Sequence, residues 1–291
     1  VALLNASGSG SASYTTITVK PVGGAARSIS GATTAGSPMI DLSGADNVTI
    51  NGLNSGGNTL TLSNTTASGT SGTATVRFIN GATNNTITNT TVSGSFSAAV
   101  TTDGGNIYFA TDGTTTAGND NNTISNCDIG PAGANLPTKG IYGNGTTTNA
   151  AIGNNGIVIT NNNIFDYFGA AVTSSGIAVN GGCNTWTITN NRFYQTGTRT
   201  WTTGGVHRAI DLNSSTATSG VQAMTVTGNI IGYASNTQTG TYTLTGSVGK
   251  FQGIVFNGIA GGTASNLDGN TIASVSMTGV SSSGTGSAAT P

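Results

Sequence analysis

One short phrase recurs along the chain and constrains its fold more than any other feature. An aliphatic residue is followed two positions later by Asn or Gly and five positions later by another apolar residue. Successive aliphatic residues of the phrase lie 37, 35, 29, 38 and 41 positions apart. A unit that repeats at a roughly constant period is typical of a solenoid, in which each repeat packs on its neighbours. The copies are Ile87-Asn89-Val92, Ile124-Asn126-Ile129, Ile159-Asn161-Ile164, Ile188-Asn190-Phe193, Val226-Gly228-Ile231 and Leu267-Gly269-Ile272, with a looser one at Val48–Gly52.

A second phrase precedes the first in each repeat and predicts a short strand. Its three residues alternate inward, outward and inward, which is the period of a half-buried strand. A second strand surrounds the aliphatic residue of the first phrase, and a third carries the apolar residue five positions on. Asn or Gly between these two strands suits a tight corner, because both tolerate positive φ. The copies of the second phrase begin at Ile40, Val76, Ile107, Ile141, Ile177, Ile210 and Ile254.

Together the two phrases predict an all-β parallel β-helix of about seven to eight coils, with three short strands per coil. The first coil, around Ile17–Val19, is expected to be irregular. Residues 1–280 are expected to form a single domain and residues 281–291 a flexible Ser/Gly-rich linker or tail. The longest excursions, Gln195–Val206 and Gly232–Gly249, lie late in the chain, and alternation over Thr241–Thr245 suggests an extra strand.

Composition excludes several classes of function. Only 6% of residues are charged, none is Glu, and the net charge is −1. A chain without a basic face is not expected to bind nucleic acid, and no apolar run reaches the length that inserts into a membrane. With so few ionisable groups, we expect a fold that is insensitive to pH. The start at Val1, without Met, is expected of a mature or excised piece of a longer exported protein.

Four segments resemble β-helix repeat regions of very large exported bacterial surface proteins. The broader likeness, over residues 14–279, is to the right-handed β-helices of the pectin-lyase-like superfamily. It implies a right-handed coil and a location outside the cell or on a bacterial surface. That superfamily contains lyases, hydrolases, adhesins and passive stalks, so the resemblance implies a fold and leaves the activity open. The segments are TITVKP at Thr16–Pro21, DNVTINGL at Asp46–Leu53, NNTISNCDI at Asn121–Ile129 and GVHRAIDL at Gly205–Leu212.

No residue set names a reaction, and we predict no catalytic, cofactor-binding or metal site. Glycoside cleavage needs two carboxyl groups about 5–10 Å apart, and Asp41 and Asp211 share an outward column on distant coils. His207-Arg208 is expected to close the base of a loop by hydrogen bonding, since a catalytic base needs an orienting partner and a pocket. Ca²⁺ is the one cofactor considered, at turns that carry Asp103, Asp112 and Asp120. Cys127 and Cys183 are expected to be separate buried thiols, with a disulfide as the alternative.

Residues on either side of the aliphatic anchors should form two outward columns, most of them Thr. Such an array resembles the ice-binding face of small β-helical antifreeze proteins. Its ordinary explanation is that Thr is favoured on strand surfaces and stabilises stacked strands modestly. The candidate ice-binding residues are Thr86, Thr88, Thr123, Thr187, Thr189, Thr225 and Thr227.

Aromatic residues offer a second candidate surface. Tyr108 and Tyr142 fall in the outward column of the first strand, which also suggests a contact between Asp41 and Arg77. Trp186 aligns with inward positions and is expected in the core. Aromatic rings on an exposed face can stack on sugars. The candidate glycan-contact residues are Tyr108, Tyr142, Tyr194, Arg199 and Trp201.

These observations favour a non-catalytic, structural or adhesive module of a large bacterial surface protein. No capping helix is recognisable before Tyr14 or after Met277, so the ends are expected to abut further repeats of the parent chain, another domain or another copy. Polysaccharide is a further expected partner. Two alternatives stay open: a polysaccharide lyase or glycoside hydrolase of the β-helix superfamily, and an ice-binding protein.

Overall fold

The computed structural model describes residues 1–57, 59–111, 117–214, 220–259 and 262–279. Within these residues the chain winds into eight coils, and the strands of successive coils pair in parallel to form three sheets of eight strands each. The predicted right-handed parallel β-helix is therefore confirmed. The expected tail at residues 281–291 lies outside the described residues.

The first sheet collects the strands of the second sequence phrase. Its register pairs Ile107 with Ile141 and Tyr108 with Tyr142, so inward and outward residues stay on their own side from coil to coil. Its strands are Ala2–Asn5, Pro38–Ser43, Ala74–Ile79, Gly105–Ala110, Lys139–Asn144, Ser174–Val179, Val206–Asn213 and Lys250–Asn257.

The second sheet contains the aliphatic anchors of the repeated phrase. Ile50, Ile87, Ile124, Ile159 and Ile188 pair in sequence and form one buried file. The anchors therefore stack as the repeat predicts. The strands are Ile17–Val19, Val48–Asn51, Thr86–Thr88, Thr123–Ser125, Val158–Thr160, Thr187–Thr189, Thr225–Thr227 and Asn266–Asp268.

The third sheet carries the apolar residues five positions after the anchors. Val92, Ile129, Ile164, Phe193 and Ile231 form its buried inward file. The strands are Arg27–Gly31, Leu60–Asn64, Thr90–Gly94, Asp128–Pro131, Asn163–Phe165, Arg192–Tyr194, Ile230–Gly232 and Thr271–Ala273. The first coil is more regular than the sequence suggests, because Ala2–Asn5 and Arg27–Gly31 complete it around Ile17–Val19.

Smaller elements decorate the three sheets. The predicted strand at Thr241–Thr245 is present, and it lies in the middle of a separate parallel side sheet. A single 3-10 turn is the helical element among the described residues, and none of these residues belongs to a helix that could cross a membrane. The side sheet comprises Arg199–Thr200, Tyr242–Thr245 and Val275–Thr278; the pair Asn154–Asn155 with Cys183–Asn184 and the 3-10 turn Ala150–Ile152 complete the set.

The tight corners between the second and third sheets have the backbone that the repeated phrase predicts. The corner residue has positive φ in six coils: 52° at Asn89, 52° at Asn126, 57° at Asn161, 57° at Asn190, 66° at Gly228 and 63° at Gly269. Asn and Gly adopt this left-handed region more readily than other residues do. Asn or Gly at this position thus gives the same turn in each of these six coils.

A ladder of buried asparagines follows these corners, and the repeated phrase does not predict it. Asn191 donates from Nδ2 to the side-chain oxygen of Asn229 (3.1 Å) and to the carbonyl of Ile159 (2.9 Å). Its own Oδ1 accepts hydrogen bonds from the backbone N–H of Asn162 (3.0 Å) and from the side-chain amide of Asn162 (2.9 Å). Asn229 and Asn270 repeat the pattern one coil further on. Each side chain thereby satisfies polar backbone groups inside the coil that would otherwise be unpaired.

Trp186 lies in the core, as its alignment predicts. It is completely buried, and its Nε1–H donates to the carbonyl of Asn154 (2.7 Å). The indole occupies space on the inward file of the first sheet, where a Cβ on Gly143 would lie 2.5 Å from the ring. A large residue just before a strand of the second sheet is therefore accommodated by the smallest residue on the first sheet.

Candidate functional surfaces

The threonine columns stand on the second sheet in the predicted register. Thr86, Thr123 and Val158 are successive neighbours in one column, and Thr187 and Thr225 continue it. In the other column the hydroxyl of Thr189 donates to that of Thr160 (3.0 Å), and the Ser125 hydroxyl donates to that of Thr88 (3.0 Å). These hydroxyls, of which Ser125 is buried and the others half-buried, thus bond to one another between coils. Ice binding by this face stays a prediction, which thermal hysteresis of the purified protein would check.

Tyr108 and Tyr142 point out of the coil and stack, with ring centroids 5.6 Å apart. They are not an exposed platform, however: Tyr108 is 5% exposed and Tyr142 is fully buried. The connection before the strand Gly105–Ala110 folds over them and brings Val100 into their apolar cluster. Desolvation raises the pKa of both phenols above the usual value. A loop therefore occupies the face on which the pair was expected to meet a glycan, and glycan contact by Tyr108 and Tyr142 stays a prediction.

Lys139 fastens that loop to the sheet. Its side chain is fully buried, and its ammonium lies 3.9 Å from the centroid of the Tyr142 ring and 4.6 Å from that of Phe96. The ammonium donates to the carbonyls of Thr102 and, at 3.4 Å each, of Ala99 and Val100. Burial lowers the pKa of this amine to about 7, which the nearby Asp103 carboxylate partly opposes. The aromatic rings and the loop carbonyls thus surround the ammonium group of Lys139.

The second aromatic surface is also buried. Tyr194 is 8% exposed and stacks on Phe165 at 5.2 Å, while Trp201 is 3% exposed and belongs to a cluster under the side sheet. Arg199 donates to the side-chain oxygen of Gln195 (2.6 Å) and forms an ion pair with Asp166. Trp201 is covered by Tyr242 and Leu244 of the second excursion. Glycan contact by Tyr194, Arg199 and Trp201 stays a prediction.

His207 joins the second excursion to the coil. Its Nε2 lies 2.5 Å from the hydroxyl of Tyr242, and its Nδ1 lies 2.7 Å from that of Ser174. The ring stacks on Tyr167 with centroids 4.9 Å apart and is fully buried. Desolvation lowers the pKa of His207 to about 3, and the charge of Arg199 adds to the shift. His207 and Arg208 were expected to close the base of the Gln195–Val206 loop by hydrogen bonding. His207 bonds instead to Ser174 and to Tyr242 of the second excursion, because its ring points into the interior, away from that loop.

The carboxylates that were considered for catalysis are engaged in structural contacts. Asp41 accepts two hydrogen bonds from Arg77, of 2.9 and 2.6 Å, which confirms the contact expected in the outward column. Asp211 pairs with Arg208 at 2.6 Å. No group of three or more His, Cys or Asp residues within the described ranges could hold a metal ion.

In the two described turns considered for Ca²⁺, the carboxylates accept hydrogen bonds from the protein. Asp103 accepts from the side-chain amide of Asn144 (2.9 Å), and Asp120 accepts from the backbone of Asn155 (2.7 Å). Asp112 lies outside the described residues. Ca²⁺ binding at these turns stays a prediction.

Both cysteines are free and buried. Cys127 takes the place of an asparagine at one step of the ladder, since its backbone N–H donates to Oδ1 of Asn162 (2.9 Å). Burial raises the pKa of each thiol to about 12. The prediction of two separate buried thiols is confirmed, and neither is a nucleophile at neutral pH.

The two ends of the coil stack expose the inward files. Leu267 is 41% exposed although Val226, its neighbour one coil inward, is fully buried. Ile272 is 53% exposed, and its inward neighbour Ile231 is fully buried. At the opposite end Ile29 is 43% exposed. The apolar interior is therefore exposed to solvent at both ends of the coil stack. The outer edges of the terminal strands have no partner strand among the described residues.

Comparison with known proteins identifies similar structures and no family. No protein-family model and no curated protein matches the chain. A crystal structure of PfbA, a surface adhesin of Streptococcus pneumoniae, is similar over 81% of this chain and 63% of that one, with 14% identity and a TM-score of 0.43. A second structure of the PfbA surface protein and adhesin is similar over 84% of this chain and 77% of that one, with 14% identity and a TM-score of 0.34. The chain thus spans less than two thirds of the first PfbA structure.

Proposed function

We propose that the chain is a structural and adhesive module of an extracellular or bacterial-surface protein, in which β-helical units join end to end. The exposure of the inward files at both ends carries this proposal. Unpaired strand edges beside apolar surface are a template for further strand pairing. The location follows from the resemblance of the coil phrases to those of exported surface proteins.

Head-to-tail contact suits the two ends better than contact between like ends. In a head-to-tail pair each inward file continues: Leu267 would lie on Val19 and Ile272 on Ile29 of the next unit. The new strand pairs would all be parallel and in the register already present between coils. Because such a contact is heterologous, repeated addition gives a filament and no closed dimer. The next unit is a second copy of this chain or a further repeat of its parent.

The proposed module is non-catalytic. This part is supported by the engagement of Asp41, Asp166 and Asp211 with arginines and by the burial of His207. The alternative, a polysaccharide-degrading enzyme, is tested by incubating the protein with acidic and neutral polysaccharides. Release of shorter chains or unsaturated products would favour the enzyme and contradict the non-catalytic role.

Charge placed at the exposed end should block association. We expect wild-type protein to form larger species as its concentration rises in sedimentation velocity, and the double variant Leu267→Asp/Ile272→Asp to remain monomeric, because carboxylates would be buried in the new contact. Thr187→Asp adds a carboxylate to a lateral face and serves as the matched control, which should associate as the wild type does. A wild type that stays monomeric at millimolar concentration would exclude contact between copies.

A further inference from the structure

One segment on the outside of the coil stack has a glycine at each of its ends. This hinged segment, residues 233–248, runs from the third sheet to the first and contains the middle strand of the side sheet, Tyr242–Thr245. Gly232 precedes it with a φ of 127°, and Gly249 follows it with a φ of 150°. Glycine adopts such angles at little cost, and a Cβ at Gly249 would lie 2.3 Å from the ring of Trp201. The segment is therefore joined to the coil stack at two points where the backbone is least restricted.

The apolar contacts of the hinged segment lie outside the main core. Tyr242 and Leu244 are fully buried, and they form a cluster of their own with Phe168 and Trp201. Among the described residues, partly buried Phe251 packs against both this cluster and the main core. A unit with its own small cluster opens at a lower free energy than the fold as a whole. We therefore expect the hinged segment to be able to leave the coil stack without unfolding it.

The hydroxyl of Tyr242 carries the polar contacts of the hinged segment with the interior. It lies 2.5 Å from Nε2 of His207, and it accepts from Nε2 of Gln195 at 3.4 Å. It also donates to the hydroxyl of Tyr167 at 3.3 Å. On the other side of the imidazole, Nδ1 lies 2.7 Å from the hydroxyl of Ser174. A neutral imidazole has one donor and one acceptor, one for each of its two partners.

A proton added to His207 would have no counter-charge. Desolvation lowers the pKa of His207, and the positive charge of Arg199 adds to the shift. The carboxylate beside Arg199, that of Asp166, is already paired with it. Arg208, next to His207 in the chain, pairs with Asp211. A buried charge without a partner is costly, and opening of the segment would return it to water. The other groups that touch the imidazole are uncharged: Ser174, Tyr167, Phe168, Tyr242 and Phe251.

We propose that residues 233–248 form an acid-released flap: protonation of His207 opens the segment on its glycine hinges while the coil stack stays folded. Opening would uncover the aromatic surface of Phe168 and Trp201. The open state binds a proton that the closed state does not, so opening becomes easier as the pH falls below about 6.5, the ordinary pKa of histidine. The inference does not rest on the adhesive role proposed above.

Native-state hydrogen exchange of the wild type, measured at low denaturant concentrations and at pH 7.5 and 4.5, tests the flap. The amide of Tyr242 donates to the carbonyl of Ser274 (2.8 Å). The amide of Trp201 donates to the carbonyl of Thr245 (2.9 Å), so opening of the flap frees both amides. Both should exchange through an opening that depends little on denaturant, and their protection factors should fall about 100-fold from pH 7.5 to 4.5. The amide of Thr225, in the second sheet, should exchange through global unfolding, with a steep dependence on denaturant.

Two variants separate the charge of His207 from the hydrogen bonds of the flap. His207→Gln is neutral at both pH values and should abolish the 100-fold change. Tyr242→Phe keeps the ring and His207 but removes the hydroxyl, so protection should be lower at both pH values while the 100-fold ratio is retained. Thermal unfolding confirms that each variant folds, and the comparison of amides in the wild type requires no variant.

Three results would overturn the inference. In the wild type, Tyr242 and Trp201 would exchange with the same free energy and denaturant dependence as Thr225, so that the flap opens only with the whole fold. The 100-fold change would persist in His207→Gln, which would assign the acid response to another group. The protection factors would be independent of pH in the wild type or in Tyr242→Phe, although both retain His207.

Discussion

Replacing Asn191 by leucine should lower the free energy of unfolding by about 3–5 kcal/mol. Leucine is similar in size, so the loss comes from hydrogen bonds and not from a cavity. The substitution leaves the carbonyl of Ile159 without its side-chain donor and the backbone N–H of Asn162 without its acceptor, both in the interior. Each buried polar group left unpaired costs about 1–3 kcal/mol. Chemical denaturation followed by circular dichroism measures the change.

The adjacent asparagine provides the control. Asn190 precedes Asn191 in the chain, but it is exposed and occupies the corner at φ 57°. Asn190→Gly keeps that backbone accessible and should change stability by about 1 kcal/mol or less. Similar losses in the two variants would contradict the ladder's stabilising role.

The sequence indicates the ladder only indirectly. In the doublets Asn161-Asn162 and Asn190-Asn191 the first residue has positive φ at the corner and the second is buried in the ladder. Asn84-Asn85 and Asn121-Asn122 show the same pattern at a different corner, before the strands of the second sheet. The repeated phrase identifies the corner residue because a turn of this kind has a residue preference. The role of the second residue depends on which carbonyls the neighbouring coil leaves unpaired, and that is decided by stacking.

The inward files were predictable, and the covered faces were not. Alternation with a period of two assigns each strand residue to one side, so the burial of Ile124 or Phe193 follows from pattern alone. Tyr142 is also assigned correctly to the sheet, but its burial and that of Lys139 depend on the loop before Gly105, which has no period.

Acid should destabilise the fold through His207, contrary to the expected insensitivity to pH. Its folded pKa is about 3, and an unfolded histidine titrates near 6.5. Between these values the unfolded chain binds a proton that the folded chain does not, so stability is retained above pH ~6.5 and falls as the pH drops toward about 3. The slope reaches about 1.4 kcal/mol per pH unit. Unfolding free energies measured across this range give the slope directly.

The variant His207→Gln isolates this contribution. Glutamine stays neutral throughout, so the variant should lose the slope even if it is less stable at every pH. Desolvation raises the pKa values of Asp120 and Asp211, which gives slopes of the opposite sign in acid. Because the wild type and the variant share these carboxylates, the difference between their curves of unfolding free energy against pH gives the contribution of His207. Parallel curves would contradict the assignment.

Disulfide cross-linking tests the head-to-tail contact most directly. Thr18 and Asn266 are exposed members of the same outward column, in the first and last coils. Head-to-tail stacking would bring them one coil apart, about 4.8 Å, within the Cα separation that a disulfide spans. A mixture of Thr18→Cys and Asn266→Cys proteins should therefore form a covalent dimer under mild oxidation, while Cys127 and Cys183 stay buried and unreactive. Cross-linking of either variant on its own would contradict the proposed head-to-tail joining of these coils. The absence of a covalent dimer in the mixture would contradict it as well.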